Sequence, residues 1–278
     1  MQTEPPVDGL VQVLLDATVQ HHQVLTKKRL FSWHAALFPT GYSGFQQIEV
    51  GQWRTEGVAV VYGAFGQEKV HYEGVPAELI DQEMSSFFTW WEDSSQIDGL
   101  LRAAIAHFWF VMIHPFADGN GRLARVLTEM ALAQDEQLAI RYYSLSSQIM
   151  DERARYYKML QENQGASRDI TLWLEWFLEM FCKSIKKSKL LIEIVLVKDA
   201  FWQKNNQIEV STRQRKVLNK LLDVGQGNFE GGLTTRTYAA LTKVSKATAF
   251  RELADLLEKG MLQRNASKGR SVRYALKI

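Results

Sequence analysis

The stretch that decides the reading is HPFADGNGRLAR, residues 114–125. Pro115 cannot continue a helix, and Gly119 and Gly121 weaken one. Both flanks nevertheless carry helical sequence, LLRAAIAHFWFVMI (100–113) before it and LARVLTEMALA (123–133) after it. A helix is therefore broken here, and the break carries chemistry. Backbone N–H groups of Gly119 to Arg122 at a fresh helix N-terminus form an anion nest, reinforced by the positive end of the helix dipole. Arg122 and Arg125, three apart, both lie in the first turn and can reach further phosphates. The carboxylate of Asp118 beside an anion calls for a cation between them, and phosphate-bound Mg²⁺ takes only one or two protein carboxylates. His114, just ahead of the nest, is placed to accept a proton from a hydroxyl attacking phosphorus. Together these groups describe phosphoryl or nucleotidyl transfer.

Working outward, residues 8–38 show helical periodicity and FPTGYSGF (38–45) reads as a loop. VAVVYGAFGQEKVHYE (58–73) has β-branched and aromatic residues on both sides of a GAFGQ turn, which predicts a β-hairpin. Helices are predicted over 77–93, 98–113, 121–134 and 147–162. A long helix follows from Leu172 to Trp202, capped by Asp169 and Thr171. The tail has a different order: STRQRKVLNKLLD and TTRTYAALT as helices, a VSKAT turn, a third helix ATAFRELADLLEKGML, and two strands around a basic turn in LQRNASKGRSVRYAL. That succession predicts a winged helix-turn-helix. The expected fold is mainly α: a helical core with a β-hairpin over 1–204, then a winged helix-turn-helix over 205–278.

Charge supports the division. Residues 205–278 hold 14 Lys/Arg against 6 Asp/Glu, a balance of +8, whereas the remainder holds 19 against 25, or −6. The 46% hydrophobic content fills a core and argues against global disorder. The single cysteine, Cys182, sits in an apolar helical run where a buried thiol is expected, in keeping with a reducing compartment. The N-terminus MQTEPPVDGL lacks a basic flank and an apolar signal core, and no apolar run approaches a spanning length. A cytoplasmic protein without a membrane partner is expected.

HPFADGNGRLAR resembles the signature of the Fic family, H-x-F-x-[DE]-G-N-G-R-x-x-R, and matches it at every specified position. The resemblance extends over roughly residues 8–185, including the hairpin and the YSLSSQ and ARYYKML segments, and the added winged helix is similar to a bacterial subgroup. It implies a protein adenylyltransferase that moves AMP from ATP to a Ser, Thr or Tyr hydroxyl of a target protein, or of itself, and releases pyrophosphate. His114 would be the general base, Phe116 a core anchor and Asp118 the Mg²⁺ ligand. The ATP phosphates would lie along Gly119, Asn120, Gly121, Arg122, Leu123, Ala124 and Arg125, with Asn120 also touching the α-phosphate. Tyr156 and Tyr157 would line the adenosine pocket, with Gln164 near the base. The hairpin would be the flap, and Val60, Val61, Tyr62 and Gly63 would capture an extended target segment by strand addition.

One family feature is missing. The inhibitory motif [ST]-x-x-x-E-[GN] needs a Ser or Thr four residues before its glutamate. The Glu-Gly and Glu-Asn pairs at Glu56, Glu73, Glu162 and Glu230 have Gln52, Lys69, Lys158 and Gln226 there instead. Either an upstream segment supplies the inhibitory helix, or a partner protein does, or nothing inhibits the chain; an upstream segment is expected. Two other functions compete with AMP transfer. One is a DNA-binding regulator whose Fic core senses a nucleotide. The other is a Fic enzyme that transfers another group or removes AMP. Duplex DNA would be met by Lys246 and Arg251 of the recognition helix and Arg270 of the wing. A homodimer is a further expected partner.

Overall fold

A computed structural model describes residues 5–62, 69–164, 169–224, 233–265 and 272–277. The chain divides into two compact units, Met1–Ile185 and Lys186–Ile278. The division falls inside the long helix, whereas the sequence reading puts it at 204/205. Gly63 of the hairpin and Arg270 of the basic turn lie outside the described residues.

In the first unit, α1 (Pro5–Val19) and α2 (Lys27–Leu37) replace the single periodic stretch. Thr26 separates them by capping α2, its Oγ accepting from the Arg29 N–H at 3.1 Å. A small ladder, β1 (Tyr42–Ser43) and β2 (Gln46–Gln47), occupies what reads as loop. Gly44 turns it at φ 59°. Strands β3 (Ala59–Tyr62) and β4 (Lys69–Glu73) pair antiparallel, with an irregularity between Val60 and Val61. The hairpin expected over 58–73 is therefore present.

Helices α3 (Ile80–Asp93), α4 (Gly99–Ile113) and α5 (Asn120–Glu136) follow. Asp98 caps α4 by accepting from Leu100 and Leu101 N–H, each at 3.1 Å. Ala103, Ala104, Ala106, Phe110 and Val111 of α4 and Leu123, Leu127, Met130 and Ala131 of α5 are all buried. Helices apolar on most faces belong in the middle of a core, which is why this pair carries the loop between them. The predicted helix over 147–162 is two helices, α6 (Leu145–Asp151) and α7 (Arg153–Glu162), broken at Glu152 (φ −109°, ψ 33°). Then comes α8 (Thr171–Lys204). Asp169 accepts from Thr171 N–H at 2.9 Å, the expected cap. Trp173, Trp176, Phe177 and Met180 of α8 are buried in the core with α4 and α5. Cys182 of α8 is exposed, contrary to the expectation of a buried thiol, because the buried positions follow a different stripe of that helix.

In the second unit, α9 (Thr212–Val224), α10 (Thr235–Thr242) and α11 (Lys246–Glu258) precede β5 (Leu262–Asn265) and β6 (Arg273–Leu276). The strands pair antiparallel from Leu262↔Leu276 to Asn265↔Arg273, and Leu233 bridges Tyr274 on the other side. Val217, Leu218, Tyr238, Leu253, Leu256 and Met261 form a separate core, which Phe201 of α8 joins. Among the described residues no helix is long and apolar enough to cross a membrane.

Candidate active site

The loop from α4 to α5 is held by side chains from well outside it. His114 ends α4 in the left-handed region (φ 52°, ψ 58°), a conformation that disfavours L residues other than glycine and must be imposed by its surroundings. Phe116 is fully buried and stacks on the His34 ring at 4.1 Å and 10°. Asn120 closes the loop on itself: its Nδ2 donates to Phe116 O at 2.7 Å and its Oδ1 accepts from Phe116 N–H at 3.0 Å. The Asn120 amide is thus engaged with Phe116, leaving one Nδ2–H and the backbone N–H as its remaining donors. Gly119 has φ 86°, and a Cβ there would stand 2.9 Å from the Phe38 ring, so glycine is required twice over.

His34 fixes the middle of the loop. Its Nδ1 accepts from Gly51 N–H at 3.1 Å, so the proton sits on Nε2, which donates to Asp118 O at 3.1 Å. Burial lowers its pKa to about 4, against a backbone hydrogen bond that raises it, so the ring is neutral at pH 7. Arg54, also buried, meets the loop from the other side with hydrogen bonds to the carbonyls of His114 and Ile113.

The His114 ring has a defined tautomer. Nδ1 lies 3.1 Å from Val111 O, and a carbonyl can only accept, so Nδ1 bears the proton. In the neutral ring the lone pair is then on Nε2. Burial lowers this pKa to about 4, Arg54 lowers it further, and the Val111 bond and Asp118 oppose them. At pH 7 His114 is therefore in the form that can take a proton.

Helix α5 starts at Gly119 without a side-chain cap. Gly119 O already accepts from Leu123 N–H at 3.0 Å, and the N–H groups of Asn120, Gly121 and Arg122 form the open first turn. Asp118 flanks it, its Oδ1 accepting from Gly119 N–H at 2.5 Å, while Ser43 donates to Oδ2. Arg122 reaches to 3.7 Å from the same carboxylate and lies over the Phe38 ring at 4.5 Å. No group of three His, Cys, Asp or Glu side chains gathers among the described residues. A single half-exposed carboxylate beside an uncapped helix N-terminus fits Mg²⁺ carried by phosphates, and does not fit a cation held by protein ligands alone.

A cleft of about 320 Å³ joins these groups, with His114, Asp118, Gly119, Gly121, Arg122 and Arg125 on one side and Met150, Arg153, Tyr156, Tyr157 and Leu160 on the other. Arg125 has no carboxylate within ion-pair distance among the described residues. Burial lowers its pKa, the nearby Tyr156 and Tyr157 raise it, and Arg122 and Arg153 lower it. Three guanidinium groups thus line one cleft together with the Asp118 carboxylate. Of the residues expected on the phosphates, Leu123 and Ala124 face the core, fully buried, and do not line the cleft. The helical period turns them away from the face that carries Arg122 and Arg125.

The tyrosine pair divides. The hydroxyl of Tyr156 is 3.0 Å from His107 Nε2, and His107 Nδ1 is 2.9 Å from Thr128 Oγ. Thr128 donates to Ala124 O at 2.9 Å, so the chain has one direction: Tyr156 donates to His107, which donates to Thr128. Burial lowers the pKa of His107 to about 3 and raises that of Tyr156. Tyr156 thus shows the cleft its ring and turns its hydroxyl into the core, while Tyr157 is half-buried, with Arg153 over its ring at 5.6 Å. Gln164 donates to Glu73 O of β4 at 3.0 Å and is not part of the cleft wall. The backbones of Val60, Val61 and Tyr62 lie in β3. Arg54, His34 and Ser43 were not singled out by sequence reasoning, because their partners lie 60, 84 and 75 residues away. Arg153 was missed too, although it stands three residues before Tyr156.

Residues 24–132 match the Fic/DOC family. Protein adenylyltransferase fic-1 of Caenorhabditis elegans is 38% identical over 87 residues, 31% of this chain and 15% of that protein. Protein adenylyltransferase Fic of Nematostella vectensis is 32% identical over 126 residues, 44% of this chain and 26% of the relative. The chain therefore spans well under a third of the length of these curated relatives. Among solved structures, a Fic family protein from Desulfovibrio desulfuricans covers 100% of this chain and 77% of its own, with a TM-score of 0.52 at 21% identity. Residues 134–508 of C. elegans Fic-1 give a TM-score of 0.51 at 24% identity over 68% of this chain and 52% of that one. At these identities the likeness shows the fold.

Proposed function

Because the chain carries a Fic/DOC family domain, we propose that it is a protein adenylyltransferase that moves AMP from ATP to a Ser, Thr or Tyr hydroxyl. The observation that carries this reading is the position of the neutral His114 ring, its lone pair on Nε2, in the same cleft as the uncapped first turn of α5 and Arg122, Arg125 and Arg153. His114 Nε2 takes the proton of the attacking hydroxyl as its oxygen bonds to the α-phosphorus and the bond to pyrophosphate breaks. The N–H groups of Asn120, Gly121 and Arg122 hold phosphate oxygens, and Arg122 and Arg125 neutralise the distal charge. Asp118 is the residue that would hold Mg²⁺, which would supply charge neutralisation along the phosphates. The Tyr157 face and the apolar Met150 and Leu160 suit a flat base. β3 offers an edge on which an extended target segment pairs, aligning a hydroxyl independently of its neighbours.

Incubation with α-labelled and γ-labelled ATP in parallel tests this reading. Label kept on protein from the α position alone is expected. Label from the γ position alone identifies a phosphotransferase, and ATP bound without transfer of either label identifies a sensor.

A second activity has its own observation. The elements from α9 to β6 follow the order of a winged helix-turn-helix, and Lys246, Phe250 and Arg251 all lie on the exposed face of α11. We propose that this face meets duplex DNA, with Lys246 and Arg251 on phosphates.

A further inference from the structure

We propose that Arg54 is a positioning residue that ties the His114 end of the loop to the root of the β3–β4 hairpin, so that one guanidinium sets both the base and the strand that presents the target. This rests on the AMP-transfer reading above.

Arg54 is only 4% exposed, and each hydrogen bond it donates ends on a backbone carbonyl. Nε donates to His114 O at 2.7 Å, and Nη2 lies 3.4 Å from Ile113 O. The Arg54 backbone N–H adds Pro115 O at 2.9 Å. Three successive carbonyls of the loop entry are thus held by one residue. On the other side, Nη1 donates to Glu56 O at 2.5 Å and Nη2 to Val75 O. Glu56 precedes β3 and Val75 follows β4, and between them Gly74 N–H donates to Val58 O at 3.0 Å to close the hairpin. The guanidinium therefore clasps both roots of the hairpin and the end of α4.

The chemistry explains why the residue is arginine. Ile113 and His114 stand at the C-terminus of α4, where carbonyls lack helical partners and the dipole is negative. The planar fork makes four bonds to backbone carbonyls here, more than the three donors of an ammonium allow. No carboxylate pairs with Arg54 among the described residues, so its charge is matched by carbonyl dipoles alone. Contact is tight as well. A Cβ on Gly74 would stand 2.9 Å from Arg54 Nη2 and 3.0 Å from His114 Cβ, so hairpin root, guanidinium and base touch one another. The left-handed backbone of His114 directs its ring, and the carbonyl of that same residue is the one Nε holds.

Arg54→Ala and Arg54→Lys test the proposal in the full chain, by incorporation of α-labelled ATP into the chain itself or into an added lysate, by calorimetric ATP binding, and by hydrogen exchange. At saturating ATP the alanine variant should transfer about a hundredfold more slowly, the scale of an ångström-sized misplacement of a catalytic group. The ATP Kd should stay within about threefold, because the anion turn belongs to α5. Millimolar guanidinium should restore part of the alanine variant's rate, and lysine should fall between wild type and alanine. Exchange over 56–62 and 69–75 should accelerate together with exchange over 110–118. A rate within about threefold of wild type overturns the proposal, as do equal losses in rate and ATP binding without guanidinium rescue. Should the wild type transfer no AMP, that reading fails. The exchange arm still decides here: acceleration in only one of the two regions overturns the coupling. If the alanine variant does not fold, the lysine variant carries each measurement.

Discussion

Helices α5 and α11 both start from a short turn, and they treat the open end of a helix in opposite ways. Ser245 caps α11, its Oγ accepting from Thr248 N–H at 3.1 Å, so the helix is complete as it stands. At α5 the corresponding residue is Gly119, which has no side chain to offer, and the neighbouring Asp118 carboxylate spends its contact on Gly119 N–H instead. Glycine at a cap costs only a few tenths of a kcal/mol relative to serine, so leaving the end open is cheap. The cations differ in the same sense. Arg122 and Arg125 are partly buried along a cleft, whereas Lys246 and Arg251 stand on an exposed face. A walled cleft selects a small anion by shape and charge together, and an exposed row of cations meets an extended polyanion by charge.

The largest expected effect lies on the α5 side. His114→Ala should reduce AMP transfer by about a hundredfold or more, the contribution of a placed base, and leave ATP binding within about threefold. Calorimetry beside a label-transfer assay checks it. If ATP affinity collapses with the rate, the ring supports the cleft and is not its base. Arg125→Ala should come next, weakening ATP binding by about ten- to a hundredfold, the range of a charge-assisted hydrogen bond, and weakening ADP less. Equal losses for the two nucleotides would place Arg125 away from the γ-phosphate and blur the contrast with α11.

Why the loop was legible and its supports were not follows from where each signal sits. Pro115, Gly119 and Gly121 break a helix whatever surrounds them, and His114, Asp118, Arg122 and Arg125 fall within one turn of that break, so twelve consecutive residues carried the site. The hairpin was equally local, as β-branched residues on either side of a glycine turn. Arg54 and His34 act by meeting backbone carbonyls, which every residue possesses, so no side-chain pattern marks their partners. The Tyr156–His107–Thr128 chain joins three helices, and sequence spacing gave no means of choosing which tyrosine faces inward. The break at Glu152 involves neither proline nor glycine, which is why one helix was expected over 147–162.

Acid should separate the two units. His34, His107 and His114 have pKa values lowered to about 4, 3 and 4 by burial, against an ordinary 6.5. The unfolded chain therefore binds protons first as pH falls, and stability that is complete above about pH 6.5 declines toward pH 4. Between pH 7 and 5 each ring should remove roughly 2 kcal/mol from the first unit. Residues 186–278 contain no histidine, so the second unit should not share that slope. Hydrogen exchange on the full chain at pH 7 and pH 5 reads both units at once, and parallel loosening of the two would show that the buried rings do not set the response. Gly121→Ala should have a narrower effect. Its Cβ would stand 3.6 Å from Arg125 Nη1, ordinary contact, so melting should shift by no more than about 2 °C. ATP binding should nevertheless fall by roughly tenfold, because a phosphate close to that backbone meets the methyl group. Normal ATP affinity in this variant would remove the anion from the first turn of α5.

The smallest expected effect tests the α11 side of the comparison. If the exposed face of α11 meets duplex DNA through phosphates, the affinity of the full chain should fall linearly in log–log form as salt rises, with a slope near −0.9 for each phosphate neutralised. Replacing Lys246 and Arg251 together by alanine should lower the magnitude of that slope by about 2 and weaken binding by only several-fold at moderate salt, since other cations of this basic segment remain. Both side chains are exposed, and the core beneath them consists of Ala249, Leu253 and Leu256, so the double variant should fold unchanged. Fluorescence anisotropy with a labelled duplex over a salt series checks it. His114→Ala should leave the series untouched, because that ring belongs to the cleft beside α5. An unchanged slope in the double variant would move any duplex contact off α11. Binding that ignores salt altogether would make that face a docking surface for another protein, and the contrast between a walled anion site and an open polyanion site would fail on its second half.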